Sequence, residues 1–142
     1  MALGVSISTF HTSIRTVITI DGTFLKAKYL GTLLVAACKD ENNHIYLLCF
    51  GIGDSENNAS WEWLLKKLHG AIGHVDDLVV VSDCHNNIEK VVRKFFPLAN
   101  HGVCTYHMKQ NLKTKFKNVE VHKLFHDTAY THCLSEFNVI FG

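Results

Sequence analysis

Two aspartates stand where apolar runs end, and their position would suit metal-dependent chemistry. Asp21 closes the run RTVITID at 15–21, and Asp83 follows the run LVVVS at 78–82. The carboxyl ends of strands in an open α/β sheet are where ligands commonly bind. Two ionised carboxylates side by side repel each other, and a divalent cation between them removes that repulsion. Their spacing leaves a second interpretation open, that each Asp ends its strand in a turn.

The chemistry that such a pair would support is phosphodiester cleavage. Carboxylate oxygens are the ligands that Mg²⁺ and Mn²⁺ prefer. Two such ions, held ~3.5–4 Å apart, activate an attacking oxygen and stabilise the leaving one. This hypothesis requires that the strands ending at Asp21 and Asp83 be parallel neighbours, which lie ~4.8 Å apart in the hydrogen-bonding direction.

The pattern of apolar residues predicts the strands that would hold the pair. Runs of β-branched and apolar residues predict strands at 15–21, 32–38, 45–52 and 78–82, with a weaker strand at 101–106. Gly22 is expected to stop the first strand. The turn residues DENN at 40–43 predict an antiparallel hairpin between the second and third strands.

Helices are predicted where the period of the pattern changes. Trp61, Leu64, Leu65, Leu68 and Ile72 share one helical face, which makes Trp61 a core residue, whereas Trp63 is expected to be exposed. The expected ends of this helix are Asn58 or Ser60 as the cap and Gly73 as the stop.

A second helix is expected to begin at a capping box formed by Asn86 and Glu89 and to end at Pro97. Its core face would contain Ile88, Val91, Val92 and Phe95. A Lys-rich segment from Met108 onward is expected to be helical. The resulting order, βββαβαβα, predicts a mixed sheet with helices on its faces.

Composition narrows the class of protein. The chain has 142 residues, 47% of them hydrophobic, which is typical of one globular domain. Its 14 basic and 13 acidic residues create no overall basic field, so any affinity for nucleic acid must come from local clusters. The five cysteines, without regular spacing or a signal peptide, indicate a reducing intracellular compartment. No apolar run is long enough to predict a membrane span.

Four segments in unbroken order resemble one known family. They are DGTFLKAKYLGTLLVAACKDENN at 21–43, FGIGDSENNASWEWLLKKL at 50–68, VVVSDCHNNIEKVV at 79–92 and HGVCTYHMKQNLKTKF at 101–116. Together they are similar to the transposase domain of Mutator-like elements, over residues 14–118. The resemblance implies a ribonuclease H-like fold, an α/β mixed five-stranded sheet of order 3-2-1-4-5 with helices on both faces. Residues 119–142 would then be a C-terminal helix that opens a missing helical region.

The resemblance also implies an activity and its partners. Members are DDE-type transposases that use Mg²⁺ or Mn²⁺ to cut DNA at transposon ends and join it to a target. Asp21 matches the family's first catalytic acid and Asp83 its second. The third, a Glu, normally follows much later, so the chain alone is expected to be inactive. DNA is the implied partner, the nucleus the expected location, and a full-length form could be a homo-oligomer.

Two alternatives of other classes remain open. One is a domesticated relative that binds DNA and regulates transcription without catalysis, and the other is a non-functional truncated copy. Glu136 is the candidate within the chain to replace the third acid. The simpler interpretation is that Glu136 is an ordinary helix carboxylate.

Three further groups could contribute to a site. His85, two residues after Asp83, could contact phosphate or a reacting oxygen. Cys104 and His107 match the family's C-x-x-H, whose role is unclear; with His122 and His126 they have a spacing compatible with tetrahedral zinc. The residues predicted to contact the DNA backbone are all lysines: Lys26, Lys28, Lys109, Lys113, Lys115 and Lys117.

Overall fold

The fold is taken from a computed structural model that describes residues 1–26, 30–83 and 86–141. Within these ranges the chain forms five strands and six helices. Their order is α1 (Gly4–Ser13), β1 (Ile14–Leu25), β2 (Gly31–Asp40), β3 (Ile45–Gly53), α2 (Asn58–Ile72), β4 (Val79–Ser82), α3 (Asn86–Phe95), β5 (Asn100–Val103), α4 (Thr105–Lys115), α5 (Val119–Ala129) and α6 (Leu134–Phe141).

The strands form one mixed sheet in the order β3-β2-β1-β4-β5. Strands β1, β2 and β3 are an antiparallel meander, and β4 lies parallel to β1 on its other side. This strand order confirms the predicted mixed five-stranded sheet of order 3-2-1-4-5. The parallel pairing follows from the α2 crossover, because a strand that returns to the same sheet through a helix runs in the same direction.

The first strand is longer than predicted, and Gly22 does not stop it. The ladder with β2 continues from Asp21↔Val35 through Gly22↔Leu34 to Leu25↔Gly31. A glycine inside a strand weakens it, but full pairing with a hairpin partner compensates for the lost side chain. Asp21 therefore lies inside β1 and not at its end, which corrects the prediction of a strand-ending turn.

One face of the sheet carries the hydrophobic core. Ile18 and Ile20 of β1 and Leu34 and Ala36 of β2 are buried there, as the two-residue period of a strand requires. Helices α2 and α3 pack against each other and supply the other half of this core. Its helical members are Trp61, Leu64, Leu65, Leu68, Ile72, Ile88, Val91 and Val92, as their spacing predicts, and Phe95 packs against it partly buried.

The helix ends agree only in part with the predictions. Gly73 ends α2, and its backbone N–H donates to the carbonyl oxygen of His69. The cap at the other end is Asn57, neither Asn58 nor Ser60: its side chain accepts a hydrogen bond from the Ser60 N–H at 2.9 Å. Asn57 has the extended backbone that a cap requires, while Asn58 is already helical.

The capping box predicted at the start of α3 is also wrong. Asn86 is the first helical residue and not the residue before the helix. The Glu89 carboxylate, which should have reached back to the cap, instead accepts two hydrogen bonds from the Arg93 guanidinium. A paired, charge-assisted contact of this kind is stronger than one to a neutral backbone amide.

Two elements differ in type from the prediction. Helix α1 was not predicted, because its run GVSISTFHTS has no strong apolar stripe; its Phe10 nevertheless lies in the core. The fifth strand was predicted at 101–106 but ends at Val103. Cys104 is the residue before α4, and its carbonyl oxygen accepts the first helical bond from the Met108 N–H.

The chain divides into two compact units, Met1–Gly102 and Val103–Gly142. The first contains the sheet with α1, α2 and α3. The second contains α4, α5 and α6, and none of the residues described in α4 or α5 is fully buried. Among the described residues, no helix is long and apolar enough to cross a membrane. The limits 14–118 and 119–142 assigned from sequence stay a prediction.

Candidate functional site

Asp21 lies in β1, and Asp83 lies one residue beyond β4, the parallel neighbour of β1. The pairs that define the β1–β4 register are Val17↔Val79, Ile18↔Val80 and Thr19↔Val81. The same offset, carried two residues further, places Asp21 opposite Asp83. Backbones at equivalent positions of adjacent strands are ~4.8 Å apart. The two aspartates, 62 positions apart in the chain, therefore meet at the place where β4 ends.

The Asp21 carboxylate projects from the face of the sheet opposite the core. Ile20, which precedes it in β1, is buried on the core face, and side chains alternate along a strand. Asp21 and Asp83 themselves are half-buried. A half-buried pair remains open to a ligand while its electrostatic interaction is stronger than it would be in bulk water.

The orientation of Asp21 is partly fixed by its own backbone. Its Oδ1 accepts a hydrogen bond of 2.9 Å from the Gly22 N–H. This bond restricts the rotation of the Asp21 carboxylate.

Two residues predicted to contribute to the site, His85 and Lys28, lie outside the described part of the chain, as does Cys84. The roles proposed for His85 and Lys28 therefore stay predictions. Lys26 follows the end of β1 directly and is exposed.

Sequence reasoning missed a carboxylate beside this site, that of Glu56. A Cβ atom added to Gly22 would stand 2.9 Å from the Glu56 Cδ, so the carboxylate covers the glycine. Gly22 faces the core side of β1, and Asp21, the residue before it, faces the other side. Glu56 also lines a cavity of about 450 Å³ with Asn57, Asn87 and Ile88. Only the closeness of its carboxylate to the Gly22 backbone, which no sequence pattern signals, points to it.

A second missed group joins Asp83 to β5. Ser82 is fully buried, and its hydroxyl lies 2.8 Å from the Nε2 of His101. The same hydroxyl donates to the carbonyl oxygen of Asp83 at 3.0 Å. Burial lowers the pKa of His101 below its ordinary value; the nearby Glu89 carboxylate opposes this shift and the Arg93 guanidinium adds to it.

The predicted zinc ligands do not form a metal site. Cys104, His107, His122 and His126 are all described, yet the described residues contain no group of three or more His, Cys, Asp or Glu side chains that could hold a metal. His122 instead places its Nε2 2.7 Å from the carbonyl oxygen of Phe116, and His126 pairs with Asp127. The zinc hypothesis is therefore wrong, because i, i+4 spacing on a helix does not orient both rings toward the C-x-x-H pair.

The predicted DNA-contacting lysines of the second unit lie on α4 and just after it. Lys113, Lys115 and Lys117 are exposed, and Lys109 is half-buried. Glu136 lies in the first turn of α6, where its carboxylate accepts a hydrogen bond from the His132 N–H at 3.3 Å. That bond is typical of a carboxylate that caps its own helix.

A comparison with protein families identifies the family of this chain. Residues 17–111, which include both aspartates, match the MULE transposase domain. The chain belongs to the MULE transposase family. The resemblance noted from the sequence is thereby confirmed.

One curated protein is similar in sequence to part of this MULE transposase domain. The transposase for insertion sequence element IS905 of Lactococcus lactis subsp. lactis (strain IL1403) is 35% identical over 74 residues, 52% of this chain and 19% of the relative. The chain thus spans about a fifth of that relative's length.

Two solved structures match the chain at low sequence identity. A chain of the simian T-cell lymphotropic virus intasome in complex with PP2A regulatory subunit B56 gamma has a TM-score of 0.47 and 12% identity, covering 87% of this chain and 46% of that one. The Mos1 transposase catalytic domain with raltegravir and Mn has a TM-score of 0.39 and 14% identity, covering 96% and 82%.

Proposed function

We propose that this MULE domain is the catalytic core of a metal-dependent DNA transposase, in which Asp21 and Asp83 bind Mg²⁺ or Mn²⁺. The observation that carries the proposal is the β1–β4 register, which relates the two aspartates by the same offset as the paired residues. Family membership supplies the reaction class, and the register supplies a reason for these two residues in particular.

The donor set fits a hard divalent cation. Both side chains offer only oxygen, and Mg²⁺ is usually bound through one or two carboxylates with water and substrate phosphate as its other ligands. Zinc would require nitrogen or sulfur ligands as well, which the pair does not provide. Two half-buried carboxylates at this spacing also repel each other, so a cation stabilises the folded state by removing that repulsion.

The positions of these groups indicate the role of each in the reaction. The bound cation supplies Lewis-acid stabilisation of the charge that develops on phosphodiester oxygens. Asp21 and Asp83 hold it at a fixed place on the sheet, and the Gly22 N–H restricts the rotation of the Asp21 carboxylate. Two carboxylates cannot by themselves surround two cations, so we propose that the chain alone binds metal and DNA but does not cut DNA.

Lysines are proposed to hold the DNA backbone. Lys26 lies five residues beyond Asp21 and is exposed, and exposed lysines also follow along α4. Each phosphate neutralised releases counterions, so the affinity should fall steeply with salt. The nuclear location and a homo-oligomeric full-length form, both inferred from the family, are part of the same proposal.

Fluorescence anisotropy with a labelled DNA duplex tests the proposal. We expect binding that weakens with NaCl and strengthens when Mg²⁺ is added. In the Lys113→Ala/Lys115→Ala variant, the affinity for DNA should depend less steeply on the NaCl concentration. In Asp83→Asn, only the strengthening of DNA binding by Mg²⁺ should be lost. DNA binding that is equally strong with and without Mg²⁺, in the wild type and in Asp83→Asn, would favour the regulatory alternative instead.

A further inference from the structure

The end of β4 is joined to β5 through two side chains. His101 of β5 places its Nε2 2.8 Å from the Ser82 hydroxyl oxygen. Ser82 is the last residue of β4 and is fully buried, so water does not compete for this contact. A buried polar pair with good geometry is costly to disturb, because either partner alone would be left unsatisfied.

The direction of the two hydrogen bonds can be assigned. The Ser82 hydroxyl has a single proton, which it donates to the carbonyl oxygen of Asp83 at 3.0 Å. Its oxygen must then accept from His101, which requires the proton on Nε2. The chain of bonds therefore runs from the imidazole N–H through the hydroxyl to the backbone of Asp83.

The surroundings of His101 keep the imidazole uncharged near neutral pH. Burial lowers its pKa, the Glu89 carboxylate of α3 raises it, and Arg93 of the same helix lowers it again. Arg93 also holds Glu89 in place, with its Nη2 2.8 Å from the Glu89 Oε1. Protonation would leave the Nε2–H donor in place, so the link to Ser82 does not depend on the charge.

The hydrogen bonds from His101 through Ser82 end at Asp83, whose backbone position they affect. The last pair in the β1–β4 ladder is Thr19↔Val81, so the ladder no longer fixes the backbone at Asp83. A carboxylate that shares a cation with Asp21 must nevertheless be held to within a fraction of an ångström. Groups that orient metal-ligating residues typically change metal affinity by about 10–100-fold when removed.

We propose that His101 is a positioning residue for the metal site: acting through the Ser82 hydroxyl, it fixes the backbone from which the Asp83 carboxylate reaches the cation. This inference rests on the proposed function. His101 does not itself touch the metal or the DNA. The competing explanation is structural, that His101 only satisfies a buried serine, in which case its loss lowers stability without changing metal affinity.

A double-mutant cycle on the full chain separates the two explanations. The variants are His101→Leu, Ser82→Ala and the combination, and the readout is the Mn²⁺ dissociation constant, measured by calorimetry below the unfolding transition of every variant. Because the link is one bond further from the metal than a direct ligand partner, each single change should weaken Mn²⁺ binding by about 3–10-fold. The double variant should bind Mn²⁺ no more weakly than whichever single variant binds it less tightly, because both changes break the same link.

Matched controls address stability and rescue. Thr16→Val removes a comparable hydroxyl-to-carbonyl bond of 3.2 Å, to Asp77 at the other end of β4, and should leave Mn²⁺ binding unchanged. His101→Gln keeps an N–H donor of similar reach and should bind Mn²⁺ more tightly than His101→Leu. If His101→Leu does not fold, the comparison of Ser82→Ala and His101→Gln with the wild type and Thr16→Val decides the question.

Each result supports or overturns the inference. Weaker Mn²⁺ binding in both single variants, not additive in the double and absent in Thr16→Val, supports it. Unchanged Mn²⁺ binding in variants with lowered stability, or fully additive losses, overturns it. Failure of the proposed function is a different result, because Asp83→Asn would then bind Mn²⁺ as well as the wild type.

Discussion

The β1–β4 register, carried two residues beyond its last pair Thr19↔Val81, places Asp83 opposite Asp21. Asp21 is held inside a long strand that pairs with β2 on one side. Asp83 lies one residue beyond a short strand, and its carbonyl oxygen accepts a bond from Ser82. The two aspartates are therefore supported by different parts of the fold.

The glycines of the first unit should respond very differently to alanine. A Cβ at Gly51 would overlap the ring of Trp63, a rigid side chain that is 46% exposed. Gly51→Ala should lower the free energy of unfolding by about 1–3 kcal/mol. Gly70, inside α2 with open space around it, is the control, and Gly70→Ala should raise stability by about 0.5–1 kcal/mol. Urea denaturation measures both, and equal effects of the two changes would contradict the placement of Trp63.

The cap of α2 gives a test of local structure. Asn57→Ala removes the acceptor for the Ser60 N–H and should cost about 1 kcal/mol of stability. Asn58→Ala, one residue later, removes no capping bond and should cost much less. Thermal unfolding followed by circular dichroism compares them. A larger loss in Asn58→Ala would show that the helix begins one residue later than described.

The stability of the first unit should depend on the titration of His101. Its folded-state pKa is lowered by burial, so the unfolded chain binds a proton more readily. The contribution of His101 to the free energy of unfolding is therefore complete above its ordinary pKa of 6.5. It is lost as the pH falls through the lower pKa of the folded state. Between pH 7 and pH 5, the wild type should lose more stability than His101→Gln.

The described cysteines should react in a defined order. Burial raises the pKa of Cys38 and of Cys49 to about 11, so almost no thiolate is present at pH 7.5. Hydrogen bonds from Ser135 and the Glu136 backbone lower the pKa of the exposed Cys133. Iodoacetamide followed by peptide mass spectrometry should label Cys133 first, and Cys38 and Cys49 only after unfolding. Early modification of Cys49 would mean that β3 is not buried as described.

The parts of the fold that depend on local pattern were predicted well. The period-two run around Ile18 and the helical stripe from Trp61 to Ile72 each determine which face is buried, so the core followed directly. The position of Asp83 at the end of β4 was also readable, since apolar residues give way to a polar one there. Strand pairing between β1 and β4 required the family resemblance as well as the pattern.

What the sequence could not predict depends on contacts between distant segments. Asp21 was placed at a strand end because Gly22 looks like a stop, but pairing with β2 carries β1 onward to Leu25. Glu56 and His101 have no local signal at all: one is near the site because a loop folds over Gly22, the other because β5 lies next to β4. The zinc hypothesis failed for the same reason, since ligand spacing does not specify the direction of side chains.

The most direct test of a cation shared by Asp21 and Asp83 is Mn²⁺ binding followed by electron paramagnetic resonance, with the melting temperature measured in parallel. The wild type should bind Mn²⁺ and melt at a higher temperature with it. Asp21→Asn and Asp83→Asn should each lose most of both effects, while Asp76→Asn, in the exposed loop before β4, should keep them. Equal Mn²⁺ binding and equal melting shifts in all four proteins would contradict the shared site.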